Sequence, residues 1–144
     1  MFYTNPFVRL YYENIRNKRM NIKPTESELE ILQILWKHDT CTVREVNEEL
    51  SKIKGTEIGY TTTLKLMQLM HEKGLVERDA SNRTHIYKAL LNQKKTQKSL
   101  VNKLINSAFN GSASQLVMQA LSDHQSSPEE LEAIKNYLDQ LNQK

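Results

Sequence analysis

The segment from Gly59 to Leu90 constrains this chain most, because it reads as one helix running directly into a two-stranded hairpin. Gly59-Tyr60-Thr61-Thr62-Thr63 opens the helix and Lys73-Gly74 closes it. A glycine just past the last turn supplies the left-handed backbone of a helix end, and a lysine in that turn suits the dipole. At about 3.6 residues per turn, Thr63, Leu66, Met67 and Met70 share one face, as a core stripe does. Thr62, Lys65, Leu69 and Glu72 line the other, flanked by Thr61 and Gln68. Leu75 and Val76 then start a strand, Asp79-Ala80-Ser81-Asn82-Arg83 carries too many turn formers to continue it, and Thr84 to Leu90 returns with alternating, partly β-branched character.

Two upstream helices complete the unit that such a hairpin needs. The first opens at Pro24-Thr25-Glu26-Ser27-Glu28, where the Thr25 hydroxyl is predicted to accept from the Glu28 amide while the Glu28 carboxylate accepts from the Thr25 amide. Its apolar stripe is Leu29, Ile31, Leu32, Ile34, Leu35 and Trp36. The second repeats the start signal at Thr42-Val43-Arg44-Glu45 and is expected to carry Val43, Val46, Leu50 and Ile53 inward. Gly55 and Gly59 mark the connector after it as a turn. The expected fold class is therefore mainly α: a winged helix-turn-helix over residues 21–91 with a two-stranded wing, followed by a C-terminal helical region over 92–144.

A winged helix presents one helix to the major groove of double-stranded DNA and its hairpin to the neighbouring backbone. The outward set Thr61, Thr62, Lys65, Gln68 and Leu69, with Arg83 at the basic hairpin tip, fits that use. The bland alternative makes the threonines a helix cap and Lys65 and Arg83 plain solvated charges. Their joint placement speaks against it, since no core requirement puts short hydroxyls and a lysine on one outward face. A second alternative, a winged helix used only for protein contacts, would call for more aromatic or aliphatic anchors there.

Past the hairpin, Leu100, Val101, Leu104, Ile105, Ala108 and Phe109 form one stripe, Gly111 interrupts, and Leu116, Val117, Ala120 and Leu121 form another. Ser127-Pro128-Glu129-Glu130 opens a last helix whose stripe is Leu131, Ile134, Leu138 and Leu141. Narrow stripes without a core of their own predict a homodimerisation region, with Leu100, Leu104, Phe109, Leu116, Leu131, Ile134 and Leu138 as its contact residues.

The net charge of +3 is no argument for nucleic acid once it is divided. Residues 1–20 hold four basic residues and one acidic, so residues 21–144 sum to zero and any attraction to phosphate is local. Those first residues, with Phe2, Tyr3, Phe7, Tyr11 and Tyr12 beside Arg16, Lys18 and Arg19, are expected to be a loosely held extension. The absence of a signal peptide or long apolar run predicts a cytoplasmic protein without membrane insertion. Enzyme readings fail on spacing. His71-Glu72 begins a zinc-protease motif, but Leu75 stands where the second histidine is required, and no phosphate-binding glycine loop exists among Gly55, Gly59, Gly74 and Gly111. His38 and Cys41 lack a second ligand pair, so neither a metal nor a cofactor is predicted.

Taken together, Lys23 to Leu32, Thr42-Val43-Arg44-Glu45-Val46, Gly59-Tyr60-Thr61-Thr62, Glu72-Lys73-Gly74-Leu75-Val76 and His85-Ile86-Tyr87 resemble the penicillinase repressor family of bacterial transcription regulators. The resemblance implies a homodimeric repressor that binds an inverted-repeat operator and is released when a membrane-bound sensor metalloprotease triggers its cleavage. It places Thr61, Thr62 and Lys65 where recognition-helix contacts are made and Arg83 where the wing meets the backbone, and Tyr60, beside Thr61, is counted in the same expected DNA-contact set. Three departures stand out. Leu69 occupies a position that is basic in many relatives, the Asn-Phe dipeptide cut in staphylococcal members is replaced by the reversed Phe109-Asn110, and a single Cys41 does not match the copper-responsive branch.

Overall fold

The computed structural model describes residues 5–19, with backbone alone from 14 to 19, and residues 23–144. Phe2, Tyr3 and Met20, and the side chains of Arg16, Lys18 and Arg19, lie outside the described residues. The chain folds as two compact units, Met1–Thr96 and Gln97–Lys144. In the first, the order is α1 (Pro6–Arg19), α2 (Glu26–His38), β1 (Thr40–Thr42), α3 (Val43–Lys54), α4 (Tyr60–Lys73), β2 (Val76–Asp79) and β3 (Ile86–Ala89). Within the expected N-terminal extension, Pro6–Arg19 form the helix α1, whose side chains from Pro6 to Glu13 are all exposed.

Local chemistry sets the helix boundaries. Both predicted capping boxes are present: Thr25 Oγ1 accepts from the Glu28 amide as Glu28 Oε2 accepts from the Thr25 amide, and Thr42 pairs with Glu45 in the same way. The backbone amide and hydroxyl of Thr42 hold the Glu45 carboxyl below its ordinary range. At the far end of α4, Gly74 sits at φ 79°, its amide donates to the His71 carbonyl and the Leu75 amide donates to that of Met70. This left-handed closure turns the chain straight into the wing.

The core of this unit is Ile31, Leu32, Ile34 and Leu35 from α2, Val43, Val46 and Leu50 from α3, Met67 and Met70 from α4, and Leu75, Val76 and Tyr87 around the wing. Ile53 departs from expectation: it is 67% exposed, because the last turn of α3 has run past the core before Gly55 ends the helix. The wing is also part of a larger sheet. Three strands in the order β1-β3-β2 are antiparallel, with Cys41 opposite Tyr87 and Arg78 opposite Tyr87 on the other side, so the buried tyrosine strand is central. Strand β3 begins at Ile86 rather than Thr84. Burial pushes the Cys41 thiol up, with Glu45 and Glu49 adding to the shift, so Cys41 is an inert packing group.

One carboxylate ties α2 to α4. Glu28 is 2% exposed; its second oxygen, Oε1, meets Lys73 Nζ at 2.5 Å, joining the start of α2 to the end of α4. Burial by itself would raise this carboxyl, but the Lys73 hydrogen bond, the Thr25 amide and hydroxyl, and the lysine charge together hold it below its ordinary range.

Helix α5 (Gln93–Ala108) begins in the first unit, where Trp36 Nε1 donates to the Leu91 carbonyl and Thr96 is buried, and continues into the second. The second unit adds α6 (Ala113–Asp123) and α7 (Pro128–Asn142). Asn110 at φ 49° and Gly111 at φ 79° turn the chain between α5 and α6, Ser112 caps α6, and Ser127 and Glu130 form the capping box of α7. No residue from 97 to 144 is buried.

Glu28→Gln keeps an acceptor for the Thr25 amide and gives up the charge facing Lys73. It is expected to cost about 1–3 kcal/mol of unfolding free energy at pH 7. Because the carboxyl titrates lower in the folded chain, its contribution is full above the ordinary glutamate value of about 4.3 and is lost as pH falls below it. Urea unfolding at pH 7 and pH 3.5 or so should show the gap between wild type and variant closing on acidification; a gap of constant size overturns the assignment.

Candidate nucleic-acid interface

The outward face of α4 is built by what holds its other face. Thr63, Met67 and Met70 are buried, which leaves Tyr60, Thr61, Thr62, Lys65 and Leu69 exposed and Gln68 half-buried. The helix starts from Gly59, whose carbonyl accepts from the Thr62 and Thr63 amides, and no side chain caps it. The bland reading of the threonines as a cap is therefore overturned: the cap position is two residues before Thr61, and the hydroxyls of Thr61 and Thr62 are left for other uses.

Polar residues of α3 fix where α4 begins. Asn47 Nδ2 donates to the Ile58 carbonyl and to Thr63 Oγ1, both at 2.9 Å, and the Ile58 amide donates to Ser51 Oγ at 3.1 Å. These bonds hold the turn between the two helices and satisfy the buried Thr63 hydroxyl. Sequence reading missed Asn47. Its signal was a polar residue next to Val46 on an amphipathic helix, which a helical wheel assigns to a solvated flank.

Arg83 lies in the loop between Asp79 and Ile86, which are paired at the end of the hairpin. Asp79 Oδ1 accepts from the Ser81 amide at 2.9 Å, so the acid is folded back onto the loop's own backbone and its carboxyl is held below the usual range by Ser81. No hydrogen bond or ion pair among the described residues joins Arg83 to α4; the two are linked through the Gly74–Leu75 joint. Lys65 and Arg83 enter no ion pair among the described residues, whereas Lys37, Lys52, Lys54, Lys73 and Lys88 each reach a carboxylate. Unpaired cations beside exposed hydroxyls and an amide make a face able to meet phosphate oxygens and base edges without first breaking internal bonds.

The residues expected to make dimer contacts are distributed over the second unit. Leu104, Leu131 and Leu138 are exposed, and Leu100, Phe109, Leu116 and Ile134 are half-buried. Phe109 and Met118 also line an open groove with Ser114, Gln115, Gln119 and Ser122. Among the described residues no group of three or more His, Cys, Asp or Glu side chains is placed to hold a metal, and no helix is long and apolar enough to cross a membrane.

Residues 24–140 match the family model described as penicillinase repressor. The chain is 26% identical over 117 residues to the penicillinase repressor of Bacillus licheniformis, covering 81% of this chain and 89% of that protein. It is 25% identical over 118 residues to the methicillin resistance regulatory protein MecI of Staphylococcus aureus (strain N315), covering 79% of this chain and 91% of that one. Among solved structures, the fold is similar to that in the complex structure of hsRosR-S4, with a TM-score of 0.50, 19% identity, and 76% of this chain and 94% of that chain covered. The DNA binding domain of the repressor BlaI matches at a TM-score of 0.44 and 23% identity, covering 51% of this chain and 87% of that one.

Replacing Asn47 by Ala strands the Thr63 hydroxyl and frees the Ile58 carbonyl. The variant is expected to lose about 1–3 kcal/mol of stability, with amide exchange accelerated first in residues 58–63. Exchange rates there equal to wild type would remove Asn47 from the role of fixing this turn.

Proposed function

The chain belongs to the penicillinase repressor family, and from that premise we propose that it is a DNA-binding transcriptional repressor that occupies an inverted-repeat operator as a homodimer. The observation that carries the reading is the exposed polar face of α4, with Thr61, Thr62 and the unpaired Lys65 outward while Thr63, Met67 and Met70 are locked in the core. In the proposed complex α4 lies in the major groove. The hydroxyls of Thr61 and Thr62 and the Gln68 amide read base edges, Lys65 reaches guanine or phosphate, and Leu69 packs on a thymine methyl where a basic residue would have sought an acceptor. Tyr60 and Arg83 meet the sugar-phosphate backbone on either side. Tyr60 and Leu69 are the only large apolar groups in this set, too few for a face that serves protein docking alone.

The second unit supplies the dimer in this reading. Its 48 residues, 97–144, contain no buried side chain and leave Leu104, Leu131 and Leu138 in water, so a second copy is the natural cover. Joining two winged helices makes the second half-site contact intramolecular, a gain of about 100-fold or more without new base contacts. Release then needs only one cut in the arm. We assign that step, in the cytoplasm, to proteolysis linked to a membrane-bound sensor metalloprotease; the staphylococcal Asn-Phe dipeptide is absent and Phe109-Asn110 has the reverse order, so that cut site does not carry over to this chain.

At fixed salt, the double variant Thr62→Ala, Lys65→Ala is expected to weaken operator binding by about 1–3 kcal/mol per lost contact with its unfolding curve unchanged. Arg83→Ala should weaken operator and random DNA alike and lower the salt slope by about one. Wild-type affinity in the double variant sinks the α4 face, and an Arg83 effect confined to one sequence sinks the backbone role.

A fragment of residues 20–92 is expected to sediment as a monomer and to bind a palindrome little better than a half-site. A dimeric fragment with full affinity would place dimerisation elsewhere.

A further inference from the structure

The two halves of α4 are held by different means. From Met67 onward the helix is fixed by packing, with Met67 and Met70 fully buried, and by the pairing of Lys73 with Glu28 at its end. Its first turn has neither. Tyr60, Thr61 and Thr62 are exposed, and the cap residue Gly59 brings no side chain. A methyl group on Gly59 would meet only the Thr62 hydroxyl, at 3.6 Å, so no packed neighbour locks the backbone there. Glycine leaves the torsions of that joint free as well. What holds the turn is polar and comes from α3. Asn47 Nδ2 donates to the Ile58 carbonyl and to Thr63 Oγ1, both at 2.9 Å, and Ser51, one turn further along α3, accepts from the Ile58 amide at 3.1 Å. The peptide groups on both sides of Ile58 are thereby pinned to α3. So is Thr63, the one buried residue between Tyr60 and Thr63.

We propose that Asn47, supported by Ser51, is a positioning residue for operator discrimination: it sets the Thr61 and Thr62 hydroxyls, while Lys65 and Leu69 are set by the packing of Met67 and Met70. This rests on the DNA-binding reading above. A hydrogen bond to a base edge weakens steeply with angle and distance, whereas a cation meets a phosphate over a wider range of geometries. Loosening the first turn therefore removes sequence reading and spares backbone attraction. The side chain has to be an amide. A carbonyl can only accept, and an aspartate of the same shape would offer it no donor.

The test titrates variants of the full chain, at fixed salt, with two duplexes: one selected from a random library by the wild-type chain and one of scrambled sequence. Asn47→Ala and Asn47→Asp are each expected to lose about 10-fold or more on the selected duplex and under about 2-fold on the scrambled one. Partial unfolding lowers both affinities alike, so their ratio isolates positioning from stability. Equal losses on both duplexes, or none on either, overturn the proposal. A double-mutant cycle then locates the effect. Thr62→Ala is expected to cost about 10-fold alone and under about 3-fold beside Asn47→Ala, whereas Lys65→Ala costs the same in both backgrounds. Additivity at Thr62, or equal coupling at Lys65, overturns the assignment. Where Asn47→Ala does not fold, Ser51→Ala, which frees only the Ile58 amide, takes its place in the cycle with the same two outcomes. A wild-type chain that selects no sequence, or Thr62→Ala and Lys65→Ala both at wild-type affinity, fails the DNA reading itself; single losses that add to that of Asn47→Ala fail only the positioning role.

Discussion

The pairing of Glu28 with Lys73 fixes the end of α4 against the start of α2, and the wing follows directly from that end. A single carboxylate uses one oxygen to cap α2 and the other to grip the last turn of α4, so the beginning of one helix and the end of another share a fixed point. From that point Gly74 and Leu75 turn directly into β2. Any drift of the α4 terminus would carry the wing with it, and Arg83 sits on that wing. The buried acid is tolerable because all of its polar atoms are used: among the described residues no buried side-chain nitrogen or oxygen is left without a partner.

The opposite end of α4 is held differently. Asn47 and Ser51 clamp the turn after α3 with neutral hydrogen bonds, and Thr63 takes part from within the core. A helix fastened at both ends and buried along Thr63, Met67 and Met70 presents its remaining face as a rigid surface, which suits the proposed reading of base edges, where misplacing a hydroxyl by an ångström forfeits a contact. The face itself is not strongly basic. Since residues 21–144 are neutral in sum, the proposed DNA contact rests on placement more than on bulk attraction.

The two units divide the work of stability. Residues up to Thr96 gather the whole buried cluster, including Tyr87 at the centre of the sheet, and those after it gather none. A helical segment with exposed leucines and good caps is well formed locally yet unfinished as a surface. Local order comes from Ser112, Ser127 and Glu130, and in the proposed dimer a second copy completes the surface.

Much of the fold was legible because the relevant interactions lie within a few residues. Thr25 with Glu28, Thr42 with Glu45 and Ser127 with Glu130 are spaced by three positions, Gly74 is a single left-handed residue at a helix end, and the two faces of α4 follow from its period; each is dictated by neighbours along the chain. The candidate face on α4 came from the same source. What the sequence did not reveal depends on partners far away. Strand β1 is too short to carry a pattern and exists because β3 offers it Tyr87 and its neighbours to pair with. Ile53 has the period of a core residue but lies past the end of the core, and Asn47 has the look of a solvated residue but faces the Ile58 carbonyl. Lys73 read as a dipole cation, and only the fold brought it to a glutamate 45 residues away. The chain by itself determined its helices, their caps and the polarity of their faces, because short-range hydrogen bonds and periodicity require nothing else. Which of those faces are covered, and which charges find partners, was decided by the tertiary structure, since burial and ion pairing are properties of groups that meet in space.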